Sequence, residues 1–193
     1  SVTGSAAMMA EGIHSLVDTG NQVLLLHGMR QAMKPADARF PFGHGKEVYF
    51  WSFVVAIMVF ALGSGVSIYE GVHRVVHPEV VPDPMVNYVV LALALAFEGA
   101  AWWMAWRAFA RQQQGRGIRE TVRTSKDPIT FVVLFEDSAA LLGLVVAAIG
   151  LALSQMLDMP VFDGAASIGI GLILAFTAIW LAIRTKSLLI GEA

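Results

Sequence analysis

Long apolar runs, broken by short polar segments, dominate the chain. Five of them are long enough for a helix to cross a hydrocarbon core, which takes about 20 mostly apolar residues. The first covers about 6–28 and is the least apolar. The second, about 48–69, carries no charge; the third, about 84–106, carries Glu98. The fourth, about 128–156, carries Glu136 and Asp137, and the fifth, about 164–183, carries none. The runs are continuous rather than alternating, so the pattern predicts helices and not barrel strands. Asp83-Pro84 and Asp127-Pro128 each put a capping carboxylate before a proline suited to a first helical turn. Met159-Pro160 breaks the chain between the last two spans, and Asp163 is expected to cap the final helix. Ala139, Gly143 and Ala147, Ser167, Gly171 and Ala175, and Gly63 with Ser67 repeat every four residues, as close-packed helix faces do. Tyr49, Trp51, Trp102, Trp103 and Trp106 suit interfacial aromatic belts.

Composition fixes the class. Of 193 residues, 56% are hydrophobic and 15% are charged, against about 25% charged in an ordinary soluble domain. Mean hydropathy is +0.65. A disordered chain, a fibre and a soluble nucleic-acid binder are excluded, and a net charge of -2 leaves no basic excess for a nucleic-acid partner. The absence of cysteine excludes disulfides, thiolate metal sites and cysteine nucleophiles. The predicted fold is all-α, a polytopic transmembrane helix bundle filling residues 1–193, with the lipid bilayer as its surroundings.

Of the 13 Lys and Arg residues, four (Arg30, Lys34, Arg39, Lys46) lie between the first two spans. Six (Arg107, Arg111, Arg116, Arg119, Arg123, Lys126) lie between the third and fourth. Arg184 and Lys186 follow the fifth, and Arg74 alone falls on the opposite side. Basic loops stay cytoplasmic, so the C-terminal end is expected on the cytoplasmic side of a bacterial inner membrane or of an organelle membrane. Five spans then leave Ser1 outside, and a sixth helix before it is expected.

The chemistry should reside in polar groups inside the spans, where a charge costs at least about 2.5–3.5 kcal/mol. His14 and Asp18, four apart, share one helix face. Imidazole and carboxylate are suitable ligands for zinc and related divalent ions. In the plainer alternative the two hydrogen-bond to each other and join helices. Glu11 lies near the same face, and Asn21 and Gln22 extend the polar stripe. Asp137 lies about 15 Å into its span and Asp18 about 18 Å into its own, running oppositely. Both therefore fall near mid-membrane, where carboxylates at one depth repel unless a cation joins them. Glu136 is rotated about 100° from Asp137. Glu98 is open between proton carrier, further ligand and packing partner. His27, His73 and His77 fall at span ends, and His44 lies in a glycine-rich loop.

The stretch Thr3-Gly-Ser-Ala-Ala-Met-Met-Ala-Glu-Gly-Ile-His14-Ser-Leu-Val-Asp18-Thr-Gly-Asn-Gln22 resembles the second membrane helix of the cation diffusion facilitators, a family of zinc and other divalent-metal transporters. Phe40-Pro-Phe-Gly-His-Gly-Lys-Glu-Val-Tyr-Phe-Trp51, Ser67-Ile-Tyr-Glu-Gly-Val-His73, Phe135-Glu-Asp-Ser-Ala-Ala-Leu-Leu-Gly143 and Asp163-Gly-Ala-Ala-Ser-Ile168 follow in that family's order. The resemblance implies a six-helix membrane domain with five spans present here. It implies a metal site between two helices, normally with two ligands four apart on each. His14, Asp18 and Asp137 match it, but Val133 stands where a fourth ligand belongs, leaving water, Glu136 or Glu98. A cytoplasmic C-terminal domain and a homodimer are further implied.

Together these readings point to a secondary transporter, not an enzyme. It would export a divalent cation, zinc first, in exchange for protons, with the metal as cargo and no organic cofactor. Manganese, iron(II), cobalt or cadmium as cargo is the alternative, as is a non-transporting metal-binding or regulatory membrane protein. A membrane metalloenzyme finds no support, since no His-Glu-x-x-His motif is present.

Overall fold

The computed structural model describes residues 6–78, 84–113, 117 and 128–190, and every regular element among them is helical. Helix α1 (Ala6–Ala32) comes first. A continuous rod follows, made of α2 (Glu47–Met58), a π-helical stretch (Val59–Ser64) and α3 (Gly65–Val76). Then come α4 (Pro84–Gln113), α5 (Pro128–Met156) and α6 (Val161–Ile190). Asp83 and Asp127, expected as caps, lie outside the described residues, as do Arg116, Arg119, Arg123 and Lys126. Pro84 and Pro128 are each the first residue of their helix, where a missing N–H costs nothing.

Among the described residues, four segments are long and apolar enough to cross a membrane: Glu47–Val76, Met85–Arg111, Ile129–Met156 and Val161–Lys186. The chain is an integral membrane protein. With 27 residues, α1 is about 40 Å long, but it is not among the four. Asp18, Asn21, Gln22, His27 and Arg30 dilute its apolar surface. Large side chains such as Leu16, Phe97, Leu172 and Phe176 point outward, as lipid-facing positions do when packing rather than water exclusion holds the helices together.

Helix α6 is central. It packs along α5 on one side and along the α2–π–α3 rod on the other. Helix α1 lies on α2 and reaches α5 and α6, while α4 rests chiefly on α5 and is mostly outward-facing. The small residues make the closest seam. A methyl group at Gly71 would come within 2.7 Å of the Gly164 carbonyl oxygen, so α3 and α6 meet there backbone to backbone. Across the same seam the Ser167 hydroxyl donates to the Ser67 carbonyl at 2.8 Å. Between α4, α5 and α6, Ala139 and Ala147 are buried with Leu91, Leu144, Ile170 and Leu174.

Three details depart from the sequence expectation. Helix α6 starts at Val161, so Asp163 lies inside its first turn rather than capping it, with its N–H donated to the Pro160 carbonyl at 3.1 Å. A carboxylate in that turn still complements the positive end of the helix. Helix α5 ends with Asp158 at φ 51°, and the Met159 N–H donates to the Ser154 carbonyl at 3.0 Å. This left-handed closure usually uses glycine. Finally, several of the aromatics expected at belts have partners within the bundle. The Trp102 indole donates to Ser138 Oγ at 2.9 Å and stacks on Trp106, while Trp51 donates to Glu47 at 3.1 Å. Trp103 does face outward, with the Arg107 guanidinium 5.1 Å from its ring, and Arg184 lies 5.6 Å from Trp180 at the matching end of α6. Both are cation-on-aromatic contacts. On the opposite side Arg74 is neutralised by Glu70, one turn back, at 3.5 Å.

Candidate metal centre

Helices α1 and α5 meet in the bundle interior, and their polar residues face one another. Asn21 is 1% exposed. Its amide nitrogen donates to Glu136 Oε1 across the α1–α5 contact. Asp18, one turn earlier on α1, is also within hydrogen-bonding reach of the Glu136 carboxyl. Two carboxylates brought together in a low-dielectric interior repel unless a proton or a cation lies between them. Glu136 and Asp137 are buried, at 6% and 8% exposure. Among the described residues no hydrogen bond satisfies Asp137 Oδ2 or Asn21 Oδ1, although both atoms are buried. Orphaned buried oxygens are costly unless something occupies them, and an oxygen-rich set of this kind suits a divalent cation.

Glu98, on α4, is half-buried, and its charge acts on both Glu136 and Asp137. It adds a third acidic helix, α4, to the surroundings of the α1–α5 contact. Val133, one turn before Asp137, packs with an apolar cluster that includes Val17, Leu25, Val55 and Phe131. His14 is on α1, four residues before Asp18, but its side chain, like that of Glu11, is outside the described residues. Among the described residues no three His, Asp or Glu side chains come close enough together to hold a metal ion. The structure thus brings Asp18 to Glu136, with Asp137 and Glu98 nearby. Sequence reasoning placed Asn21 only in a polar stripe. Its spacing of three from Asp18, which keeps both on one helical face, was the available signal for its place beside Glu136.

The other histidines have local partners. In the α1–α2 loop, Gly43 adopts φ +79°, a left-handed turn that glycine makes without strain. That turn brings His44 Nδ1 to 3.2 Å from the Pro35 carbonyl and Nε2 to 3.5 Å from Asp37 Oδ2. Asp37 accepts the backbone N–H groups of Phe40 and Arg39 at 2.8 Å each. The Phe40 bond most of all holds its carboxyl below the usual aspartate range. A cavity of about 670 Å³, lined by Phe40, Phe42, Phe50 and Leu189 among others, opens beside this loop. His27 lies 3.0 Å from the Gln31 amide nitrogen, and His73 packs between Tyr69 and His77.

Comparison with known proteins shows the family. The family model described as the cation efflux transmembrane domain matches residues 1–190. The chain is 35% identical over 193 residues to the mitochondrial proton-coupled zinc antiporter SLC30A9 of Xenopus laevis. Against the human protein of that name the identity is 34%, and against metal tolerance protein C4 of Arabidopsis thaliana it is 35%. Each alignment covers 99% of this chain but only 34%, 34% and 42% of the respective relative. The chain therefore spans about a third of the length of the SLC30A9 proteins it matches. A match over nearly every residue, with buried carboxylates meeting between α1 and α5, places the chain in the cation efflux family, the cation diffusion facilitators of the sequence resemblance.

Proposed function

We propose that this domain carries a divalent metal cation, zinc first, across the membrane and out of the cytoplasm in exchange for protons. The observation that supports this reading most directly is the meeting of Asp18 with Glu136 in the bundle interior, beside an Asp137 oxygen without a partner. His14, Asp18 and Asp137 are the proposed ligands, Glu136 the favoured fourth and Glu98 the competitor. The cation is cargo, and no bond in a substrate is made or broken.

Exchange follows from the chemistry of the ligands. Carboxylates and imidazole hold a metal only when deprotonated. A proton that joins Asp18 to Glu136 occupies the electron pairs that the cation needs, so metal entry releases protons and protonation releases metal. Opening the site alternately to each face, by rocking α1 and α5 against the remaining helices, converts this competition into antiport. The SLC30A9 relatives are named as proton-coupled zinc antiporters, which favours zinc over manganese, iron(II), cobalt or cadmium as cargo. A homodimer in a bacterial inner membrane or an organelle membrane, with the α6 end cytoplasmic, completes the proposal.

The test is metal flux in proteoliposomes of the full chain, with zinc on one side and a pH gradient across the bilayer. Wild type is expected to move zinc and to move protons the opposite way. Asp18→Ala and Asp137→Ala are expected to insert normally and to abolish both movements. Zinc flux unchanged in either variant would refute the site, and zinc flux without proton movement would refute the exchange.

A further inference from the structure

We infer that Asn21 is itself a ligand, supplying a neutral oxygen to the cation in the place that Val133 leaves empty. This rests on the transport site proposed above and extends it by one residue and one consequence for selectivity. Asn21 is 1% exposed, and its amide nitrogen is committed to Glu136 Oε1. That bond fixes the amide plane. Its Oδ1 must then point away from the Glu136 oxygen, and among the described residues this buried oxygen has no hydrogen-bond partner. A buried amide oxygen normally finds a donor. Among the described residues the polar groups on this contact are Asp18, one turn back on the same face, and Glu136, with its neighbour Asp137 on α5. All of these are acceptors when ionised and cannot satisfy it. A cation can, and on α5 Asp137 Oδ2, next in sequence to Glu136, is a second buried oxygen without a hydrogen-bond partner among the described residues. Val133 is turned into the apolar cluster with Val17 and Phe131, so it offers the ion nothing.

The selectivity consequence follows from donor type. Carboxylate and carbonyl oxygens suit harder cations such as manganese(II), whereas imidazole suits zinc. Removing the Asn21 oxygen should therefore weaken manganese binding more than zinc binding. A residue that only held Glu136, itself an oxygen donor, would shift selectivity the same way, so a Glu136→Ala background separates the two roles.

Calorimetric titration of the detergent-solubilised full chain with zinc and with manganese tests this. Asn21→Leu is expected to lower affinity by about 10-fold or more, with the larger loss for manganese. Asn21→Asp, which keeps an oxygen at the same place and nearly the same shape, is expected to keep manganese affinity well above that of Asn21→Leu. In a Glu136→Ala background, Asn21→Leu is expected to cost affinity again. No further loss in that background means that Asn21 only positions Glu136, and the ligand role is wrong. It is equally wrong if Asn21→Leu binds both metals like wild type, or if Asn21→Asp is as weak as Asn21→Leu. Asp18→Ala is titrated alongside. If Asp18→Ala also binds normally, the transport site itself has been misplaced. If Asp18→Ala loses the metal and Asn21→Leu does not, only the present inference fails.

Discussion

Replacing Gly71 by alanine tests whether the α3–α6 seam holds the bundle together. The added methyl carbon would sit 2.7 Å from the Gly164 carbonyl oxygen, from the Ile168 amide nitrogen and from Ile168 Cγ1. Two of these are backbone atoms and cannot swing aside. Ordinary contact begins near 3.4 Å, so the helices must part locally by roughly 0.7 Å before the methyl group fits without repulsion. Overpacking of this kind costs about 1–3 kcal/mol. The Ser167–Ser67 hydrogen bond, 2.8 Å long and buried, spans the same seam and stretches with it. Interhelical hydrogen bonds in membranes contribute about 0.6 kcal/mol on average. A total near 2 kcal/mol should lower the thermal midpoint by about 4–8 °C for a chain of this size. The assay is thermal unfolding in detergent, followed by tryptophan fluorescence, with Gly65→Ala as the control because a methyl group there meets nothing within 4 Å. If Gly71→Ala melts no lower than Gly65→Ala, the backbone contact is not holding α3 to α6 and the packing argument is wrong.

Three further outcomes are expected. Glu136→Gln should weaken zinc affinity in calorimetry more than Glu98→Gln does, because Glu136 meets α1 directly whereas Glu98 sits half-buried on the peripheral α4; the reverse order would move the fourth ligand to α4. Single cysteines at Arg116 and Lys186, introduced into a chain that has no native cysteine, should react with an impermeant reagent only from the cytoplasmic side, and labelling from the opposite side would invert the orientation. Asp158→Gly should raise the thermal midpoint, since it relieves a left-handed residue worth about 1 kcal/mol, and an unchanged or lower midpoint would mean that the Asp158 side chain compensates for its own strain.

What the sequence reveals here depends on whether one helix or two must be known. Apolar length, prolines at first turns and the one-sided basic residues are properties of single segments, and they suffice for an all-α membrane bundle. The spacing of His14 and Asp18 on one face is likewise local. The Asn21–Glu136 bond joins residues 115 apart, and no periodicity within either helix sets the rotation of one against the other. That phase is fixed by the bundle, by Val17 and Leu25 packing on Phe131 and Val132. The same limit explains the tryptophans. Indole rings near span ends suit either a boundary or a helix groove, and only the partner decides, as Ser138 does for Trp102.

The departure at Val133 shows how fold and site constrain each other. A ligand at that position would have to leave the apolar cluster shared with Val17, Val55 and Phe131. A charged or imidazole side chain there would be buried among groups that cannot pair with it, at a cost of several kcal/mol. The contact between α1 and α5 is instead sealed with hydrocarbon at this turn. The polar work shifts by three residues along α5 to Glu136 and across to Asn21 on α1. The proposed site would gain one oxygen donor on α1, Asn21, and keep its α5 donors as neighbours rather than four apart. Its affinity should therefore depend more steeply on how closely α1 approaches α5 than that of a site with two ligands four apart on each helix. That coupling suits the proposed carrier, in which α1 and α5 rock together against the remaining helices, because the Asn21–Glu136 bond keeps the two helices in register as they move.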